Sequence, residues 1–261
     1  MGRLFLIFLA TFFFCGCSEN PVPRQKERRI CSLSAAAAVI LEKLGTPPAA
    51  VDQYSAIAAD PATPVVGKGT ALFPERLLEL KITTLIVWNY QKNALEHLTR
   101  YGIELVTVEP FRSSNYSSQV RKIAALTGRE AKAEEIIAGH QKLFPVQKPS
   151  GKAPRRVYFE LYTRNRGAGD DSGIGDLIRA AGGKSILDKS SLAGSEYIVS
   201  QNPEVIFFVE GFGDAREIMN RSGFSAVEAV KRKAVFPVPR RLLIEGAFTV
   251  ESVEYLKKRI Y

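Results

Sequence analysis

Ser117–Phe144, SSQVRKIAALTGREAKAEEIIAGHQKLF, decides the reading of this chain. Ala133, Ile136, Ile137, His140, Leu143 and Phe144 recur at helical spacing and form an apolar stripe, with charges on the opposite face. Thr127 and Glu130 have the spacing of a capping box that would open this Arg129–Phe144 helix. Gly128 is suited to end the preceding helix, Tyr116–Leu126, in a left-handed cap. Pro145 and the polar run PVQKPSGKAP stop the pattern. On either side the chain reads as strand, loop, helix, strand. The expected architecture is therefore α/β: two parallel-sheet lobes joined by a single long connecting helix.

Upstream, Arg29–Ser34 reads as a strand, Ala35–Leu44 as a helix closed by Gly45, and Val51–Ser55 as a second strand. Asp60–Gly69 is a loop, a helix runs from Pro74 to Leu80, and Thr84–Trp88 is a buried parallel strand. A helix over Leu95–Tyr101 and a strand over Ile103–Val108 complete the first lobe. Downstream, strands are expected at Arg156–Tyr162, Val205–Val209 and Ala234–Pro237. Helices are expected at Ile174–Ala181, Ser195–Gln201, Asp214–Met219, Ala226–Lys231 and Thr249–Arg259, with a glycine-rich loop at Thr163–Gly173. The expected division is a leader at 1–17, a tether at 18–28, an N-terminal lobe at 29–116, a connecting helical segment at 117–145 and a C-terminal lobe at 154–261.

With 261 residues, 46% of them apolar, the chain can bury one large core or two smaller ones. Its net charge of +9 is scattered along the sequence rather than blocked, which weakens a nucleic-acid reading and fits an acidic ligand or an anionic surface at least as well. At the N-terminus, Arg3 precedes an apolar run, Leu4–Phe14, that is short for a membrane span. The following Phe14-Cys15-Gly16-Cys17 resembles a bacterial lipoprotein signal, in which Cys17 would be lipidated; an ordinary cleaved signal or an uncleaved anchor are the alternatives. If Cys15 leaves with the leader and the Cys17 thiol is lipidated, Cys31 has no thiol partner for an internal disulfide and reads as a small buried side chain.

Several chemistries are excluded by spacing. In Gly167-Ala168-Gly169-Asp170-Asp171-Ser172-Gly173, Ser172 stands where a dinucleotide fingerprint needs glycine, and two acids at the turn would repel a pyrophosphate. Asp170 occupies the first glycine position of a nucleophile elbow, so Ser172 does not stand in that motif. His97 and His140 have no ligand partner at metal-site spacing. Asp170-Asp171 and Glu134-Glu135 come with no nucleophile or metal motif, so no enzyme mechanism is assembled.

Arg29–Ser34 with its helix ending at Leu44-Gly45, Pro74–Lys81 before a strand, and Leu126–Ala133 follow one another in order, as do Gly175–Gly183, Asn202–Ile206 and Ala226–Lys231. Together they resemble the substrate-binding proteins of ABC importers that receive corrinoids, haem and iron–siderophore complexes. The resemblance implies an extracytoplasmic, lipid-anchored, monomeric receptor, periplasmic in a Gram-negative cell. It would deliver an iron chelate or corrinoid to an ABC permease and its ATPase, with no catalysis, no nucleic acid and no resident cofactor; the ligand itself would carry iron or cobalt. Alternatives are a haem receptor of the same architecture, or a surface-tethered interaction module without a small ligand. Open α/β sheets place ligands at strand ends. The candidate ligand residues are accordingly Ser34 with Ala35, then Trp88, Asn89 and Tyr90, then Tyr162, Arg164 and Arg166, and Arg240 with Arg241. Aromatic rings could stack on a planar ligand and arginines could fork to its carboxylates. The family's docking mode, an acidic side chain from each lobe set against permease arginines, implies Glu96 and Glu217 by position.

Overall fold

The computed structural model describes residues 28–144, 153–244 and 250–261. The leader with Cys15 and Cys17, most of the tether and the polar run after Phe144 lie outside these residues. The first lobe contains β1 (Ile30–Ser32), α1 (Ala35–Lys43), β2 (Ala50–Val51), β3 (Gly67–Lys68), β4 (Ala71–Leu72), α2 (Pro74–Glu79), β5 (Thr84–Trp88), α3 (Lys92–Leu95) and β6 (Glu104–Val108). Its sheet has the order β2-β1-β5-β6, every neighbour parallel, and β3 and β4 form a separate antiparallel hairpin. The apolar run of β5 is the reason it lies inside that sheet, since a parallel strand must bury both faces.

Two helices follow, α4 (Tyr116–Ala124) and α5 (Glu130–Leu143). Gly128 takes the left-handed conformation expected of it, at φ +64°. The capping box does not form: the Thr127 hydroxyl donates backwards to Ala124 O at 3.1 Å, and Arg129 is the N-cap residue with no side-chain cap. The turn after α4 is tight enough that Thr127 completes it instead of opening the next helix. α5 packs on α4, which packs on α1, so the helical segment is buttressed along its length rather than standing as a bare rod.

The second lobe contains β7 (Arg155–Glu160), β8 (Arg166–Gly167), α6 (Gly173–Ala180), β9 (Gly183–Ser185), β10 (Ser191–Leu192) and α7 (Ser195–Gln201). It continues with β11 (Val205–Val209), α8 (Ala215–Met219), α9 (Glu228–Lys231), β12 (Val235–Val238) and α10 (Val250–Ile260). The sheet runs β10-β8-β7-β11-β12 with β9 parallel beside β7, and the two pairings of β8, with β7 and with β10, are antiparallel while the others are parallel. Val51–Ser55, read as a strand, is a strand only to Val51. Asp52 accepts from Ser55 N at 2.9 Å and Gly69 N at 3.0 Å, which turns the chain and leaves Tyr54 outside the sheet.

One apolar cluster runs through both lobes, joining Ile40 and Ile86 of the first, Tyr116 and Ile137 of the helical segment, and Ile178, Phe159 and Phe207 of the second. A polar clamp crosses the same boundary. Arg112, in the loop after β6, forks to Asp176 of α6 with Nε–Oδ2 and Nη2–Oδ1 distances of 2.9 Å. It also donates to Asp170 O at 2.9 Å and to Asp171 O, while Ser113 N–H reaches Asp176 Oδ2 at 2.7 Å. Arg179, one turn along α6, adds a contact to Asp176 and a 3.1 Å bond to Asp170 Oδ1. Asp176 is only 1% exposed. Burial alone would raise its carboxyl, but the bonds from Arg112 and Ser113 and the two arginine charges outweigh that and hold it below its usual range.

His140 of α5 lies buried between the rings of Tyr116 and Phe144, with centroids 3.8 and 4.6 Å away. Burial, with a smaller push from Lys43 and against the pull of Asp176, lowers its pKa from 6.5 to about 4. The unfolded chain therefore binds protons at His140 that the folded one refuses, so stability is full above pH 6.5 and is lost as pH falls from 6.5 towards 4. The Asp176 contribution has the same sign, present above the unfolded carboxylate pKa and lost as pH drops through its lower folded one. Urea unfolding against pH should show both limbs, and His140→Phe should remove the upper one while keeping the ring stack. Asp176→Asn should cost about 2–4 kcal/mol at neutral pH, less than a fully buried pair because both arginines retain some water.

Candidate functional site

A cleft of about 310 Å³ opens between the lobes at the carboxyl ends of their parallel strands. From the first lobe it is lined by Ala35 and Ala36 at the start of α1, by Tyr54 and Ile57 beyond β2, and by Trp88 at the end of β5. The second lobe supplies Leu161 and Tyr162 after β7, Ala168, Ser172 and Ile174 around the start of α6, and Ser190; beyond β12 come Arg240, Leu243 and Ile244. The alanines of α1 keep that wall shallow, so the aromatic residues define the space.

Of the residues singled out in the sequence, Ala35, Trp88, Tyr162 and Arg240 meet at this cleft. Trp88 is half-buried, held edge-on by Phe111 at 6.5 Å and lying parallel to Tyr90 at 6.2 Å. Tyr90 backs Trp88 from solvent and is not a lining residue; neighbouring Asn89 accepts from Tyr90 N at 2.9 Å. Ser34 is fully buried and caps α1, its hydroxyl accepting from Ala37 N at 3.2 Å. Arg164 lies 3.4 Å from Glu217, and Arg166 is exposed on β8. Arg241 forks to Glu251 of α10 at 3.0 and 2.8 Å and fastens the last helix. The two rim arginines thus part company: Arg241 is paired, and Arg240 faces the cleft.

Tyr162 and Tyr54, about half and more than half exposed, stand on opposite walls. Tyr162 meets Phe212 in a T-shaped contact at 4.9 Å, and the Arg240 guanidinium lies 5.3 Å from the centre of the same Phe212 ring. Among the described lining residues Arg240 is the only charged group. The nearby acids are committed elsewhere: Asp170 to Arg179, and Asp171 to Ser190, whose N–H and hydroxyl donate to it at 2.8 and 2.9 Å. Among the described residues no group of three or more His, Cys, Asp or Glu could hold a metal ion. His97 is on an exposed helix face with Nδ1 3.0 Å from Ala94 O.

Glu217, a docking candidate, is drawn into a buried network. Arg221 forks to Glu160 at 2.6 and 2.8 Å, reaches Glu217 at 2.6 Å and touches Asn165 Oδ1 at 3.2 Å. The hydrogen bond from Arg221 holds the Glu217 carboxyl below its ordinary pKa. Glu96 is exposed. The candidate residues do not include Tyr54, which falls within the expected Val51–Ser55 strand, or Phe212, although an aromatic residue between two glycines just past a buried strand satisfies the strand-end rule.

The periplasmic binding protein family model matches residues 30–242. No curated protein shows a significant sequence match. Among solved structures, the periplasmic haem-binding protein HutB of Vibrio cholerae superposes with a TM-score of 0.76 at 21% identity, over 89% of this chain and 97% of that one. RhuT, a periplasmic haem-binding protein from Roseiflexus sp. RS-1, gives 0.75 at 18%, over 90% and 98%. CeuE of Helicobacter pylori gives 0.73 at 17%, over 89% and 82%. At these identities the likeness shows the fold.

The cleft floor depends on a close backbone crossing. A Cβ at Gly169 would sit 2.3 Å from Lys189 C and 2.5 Å from Ser190 N, where neither backbone can yield cheaply. Gly169→Ala should lower stability by about 1–3 kcal/mol in thermal or urea unfolding through overpacking. Because Ser172 and Ser190 ride on the two crossing segments, it should also reshape the cleft.

Proposed function

The chain belongs to the periplasmic binding protein family, and from that premise we propose that it is an extracytoplasmic receptor. It captures an anionic iron chelate in the interlobe cleft and hands it to an ABC permease and its ATPase. The observation that carries the ligand class is the lining itself: three aromatic side chains, Trp88, Tyr54 and Tyr162, one cation, Arg240, and no carboxylate, histidine or cysteine among the described lining residues. A bare metal ion would find no adequate ligand set there. The iron must arrive with its coordination largely supplied by a chelator. Aromatic rings suit the chelator's apolar faces, and Arg240 suits its acidic groups. Corrinoids share the aromatic requirement and belong in the same panel of ligands.

Haem is the second reading, favoured by the two tyrosines facing the cleft from opposite lobes. A phenolate is an established haem-iron ligand, and haem carboxylates would match Arg240. The solved HutB and RhuT are haem-binding proteins of the same fold. The reading further includes a lipid anchor at Cys17, a monomeric receptor, no resident cofactor and no catalysis. Docking falls to Glu96 and Glu217. Arg221 fixes the Glu217 carboxylate while 45% of that side chain stays exposed, so it could serve register at an interface better than affinity.

Trp88 is the chain's single tryptophan and lines the cleft, so its emission reports occupancy directly. Titration with ferric tricatecholate and trihydroxamate chelates, haemin and cyanocobalamin should give saturable quenching by one class at one ligand per chain. Arg240→Ala should weaken that binding by roughly 10- to 100-fold, the value of a charge-assisted bond, with the unfolding midpoint unchanged. Absence of quenching by every ligand, or affinity undiminished in Arg240→Ala, would refute the proposal.

A further inference from the structure

The β11 strand is buried throughout, and the chain leaves it through Glu210-Gly211-Phe212-Gly213-Asp214. Gly211 sits at φ +82°, where a side chain would be strained. A Cβ on Gly213 would lie 2.8 Å from the Phe208 ring. Phe212 N–H donates to Val209 O at 3.0 Å. Two positions that favour glycine therefore fix the backbone on both sides of one large apolar residue. Yet Phe212 remains 49% exposed, which gains little from burial. Its ring is instead shared by two cleft-lining side chains, Tyr162 at 4.9 Å edge-to-face and Arg240 at 5.3 Å.

We propose that Phe212 is a positioning residue that sets ligand specificity: it orders Tyr162 and holds the Arg240 guanidinium at the cleft without neutralising it. A carboxylate in that place would order the arginine equally well but consume its charge, as Glu251 does for Arg241. Among the described residues no carboxylate pairs with Arg240 within 4.0 Å. A ring attracts a cation through its quadrupole and leaves the net positive charge available to an anion. Tyr162 is turned by the same ring, so the aromatic and cationic elements of the second-lobe wall form one unit. This rests on the proposed reading of the cleft as an anionic-chelate site, but the placement of Tyr162 by Phe212 is a property of the free chain.

The test compares Phe212→Leu, which removes the ring but keeps apolar bulk, with Phe212→Tyr, which keeps the ring. In the ligand-free protein carrying ¹³C-labelled tyrosine, the Tyr162 ring signals, assigned through Tyr162→Phe, should move in Phe212→Leu and return close to wild type in Phe212→Tyr. Binding is then measured with haemin, with haemin dimethyl ester, whose carboxylates are blocked, and with a ferric tricatecholate. Phe212→Leu should weaken an anionic chelate by roughly tenfold, the combined scale of one edge-to-face and one exposed cation–π contact. Phe212→Tyr should stay within about twofold, both variants should unfold near the wild-type midpoint, and any binding of the ester should be less affected by Phe212→Leu. Unmoved Tyr162 signals in Phe212→Leu, or unchanged affinity for an anionic chelate that the wild type binds, would overturn the proposal. If the wild type binds none of the probes, the chelate reading fails, while the tyrosine signals still decide whether Phe212 orders the wall.

Discussion

The Arg112–Asp176 fork is the contact on which the rest of this structure depends. It joins a loop of the first lobe to the opening turn of a second-lobe helix, 64 positions away in sequence. A carboxylate as buried as Asp176 is tolerable only when fully paired, and it receives Arg112, Arg179 and a backbone N–H. The same arginine reaches the carbonyls of Asp170 and Asp171, in the loop that delivers Ser172 and Ile174 to the cleft. The interaction that fixes one lobe on the other therefore also shapes the floor between them. The continuous apolar cluster acts in the same direction, so the cleft is largely preformed.

The arginines show how partner choice decides what one side chain does. Arg112 and Arg179 are consumed by a buried carboxylate and serve architecture. Arg221 is consumed by Glu160 and Glu217, stapling β7 to α8 beneath the surface, and Arg241 secures α10 through Glu251. Arg240 rests on an aromatic ring and keeps its charge. A chain with net charge +9 thus directs at its described cleft lining one guanidinium that has no carboxylate partner among the described residues, and the electrostatic case for an anionic ligand rests on that residue rather than on overall charge.

Much of the fold was legible because it is written in local patterns. The β-branched and apolar run of Thr84–Trp88 reads as a buried parallel strand, which it is, and Gly128 marked the break between α4 and α5. Two-residue strands such as β8 and β10 leave no periodicity to read. Asp52, which turns the chain after β2, acts through a hydrogen bond to Gly69, a contact no window of sequence contains. The Thr127–Glu130 spacing matched a capping box, yet the hydroxyl found a nearer acceptor in the turn behind it. At the cleft, the strand-end rule found Trp88 and Tyr162, since topology puts those positions there whatever the packing. It could not separate Arg240 from Arg241, because their roles differ only through the rings and carboxylates that the tertiary fold sets beside them.

On the proposed reading, the cleft receives iron already wrapped in an organic chelator. Native mass spectrometry with an absorption spectrum, on protein isolated from the envelope of cells grown with chelated iron, tests it most directly. The expected result is one adduct per chain whose mass includes iron and a small organic molecule, with a visible charge-transfer or porphyrin band. An adduct free of metal, or a bare metal ion without a chelator, would contradict it.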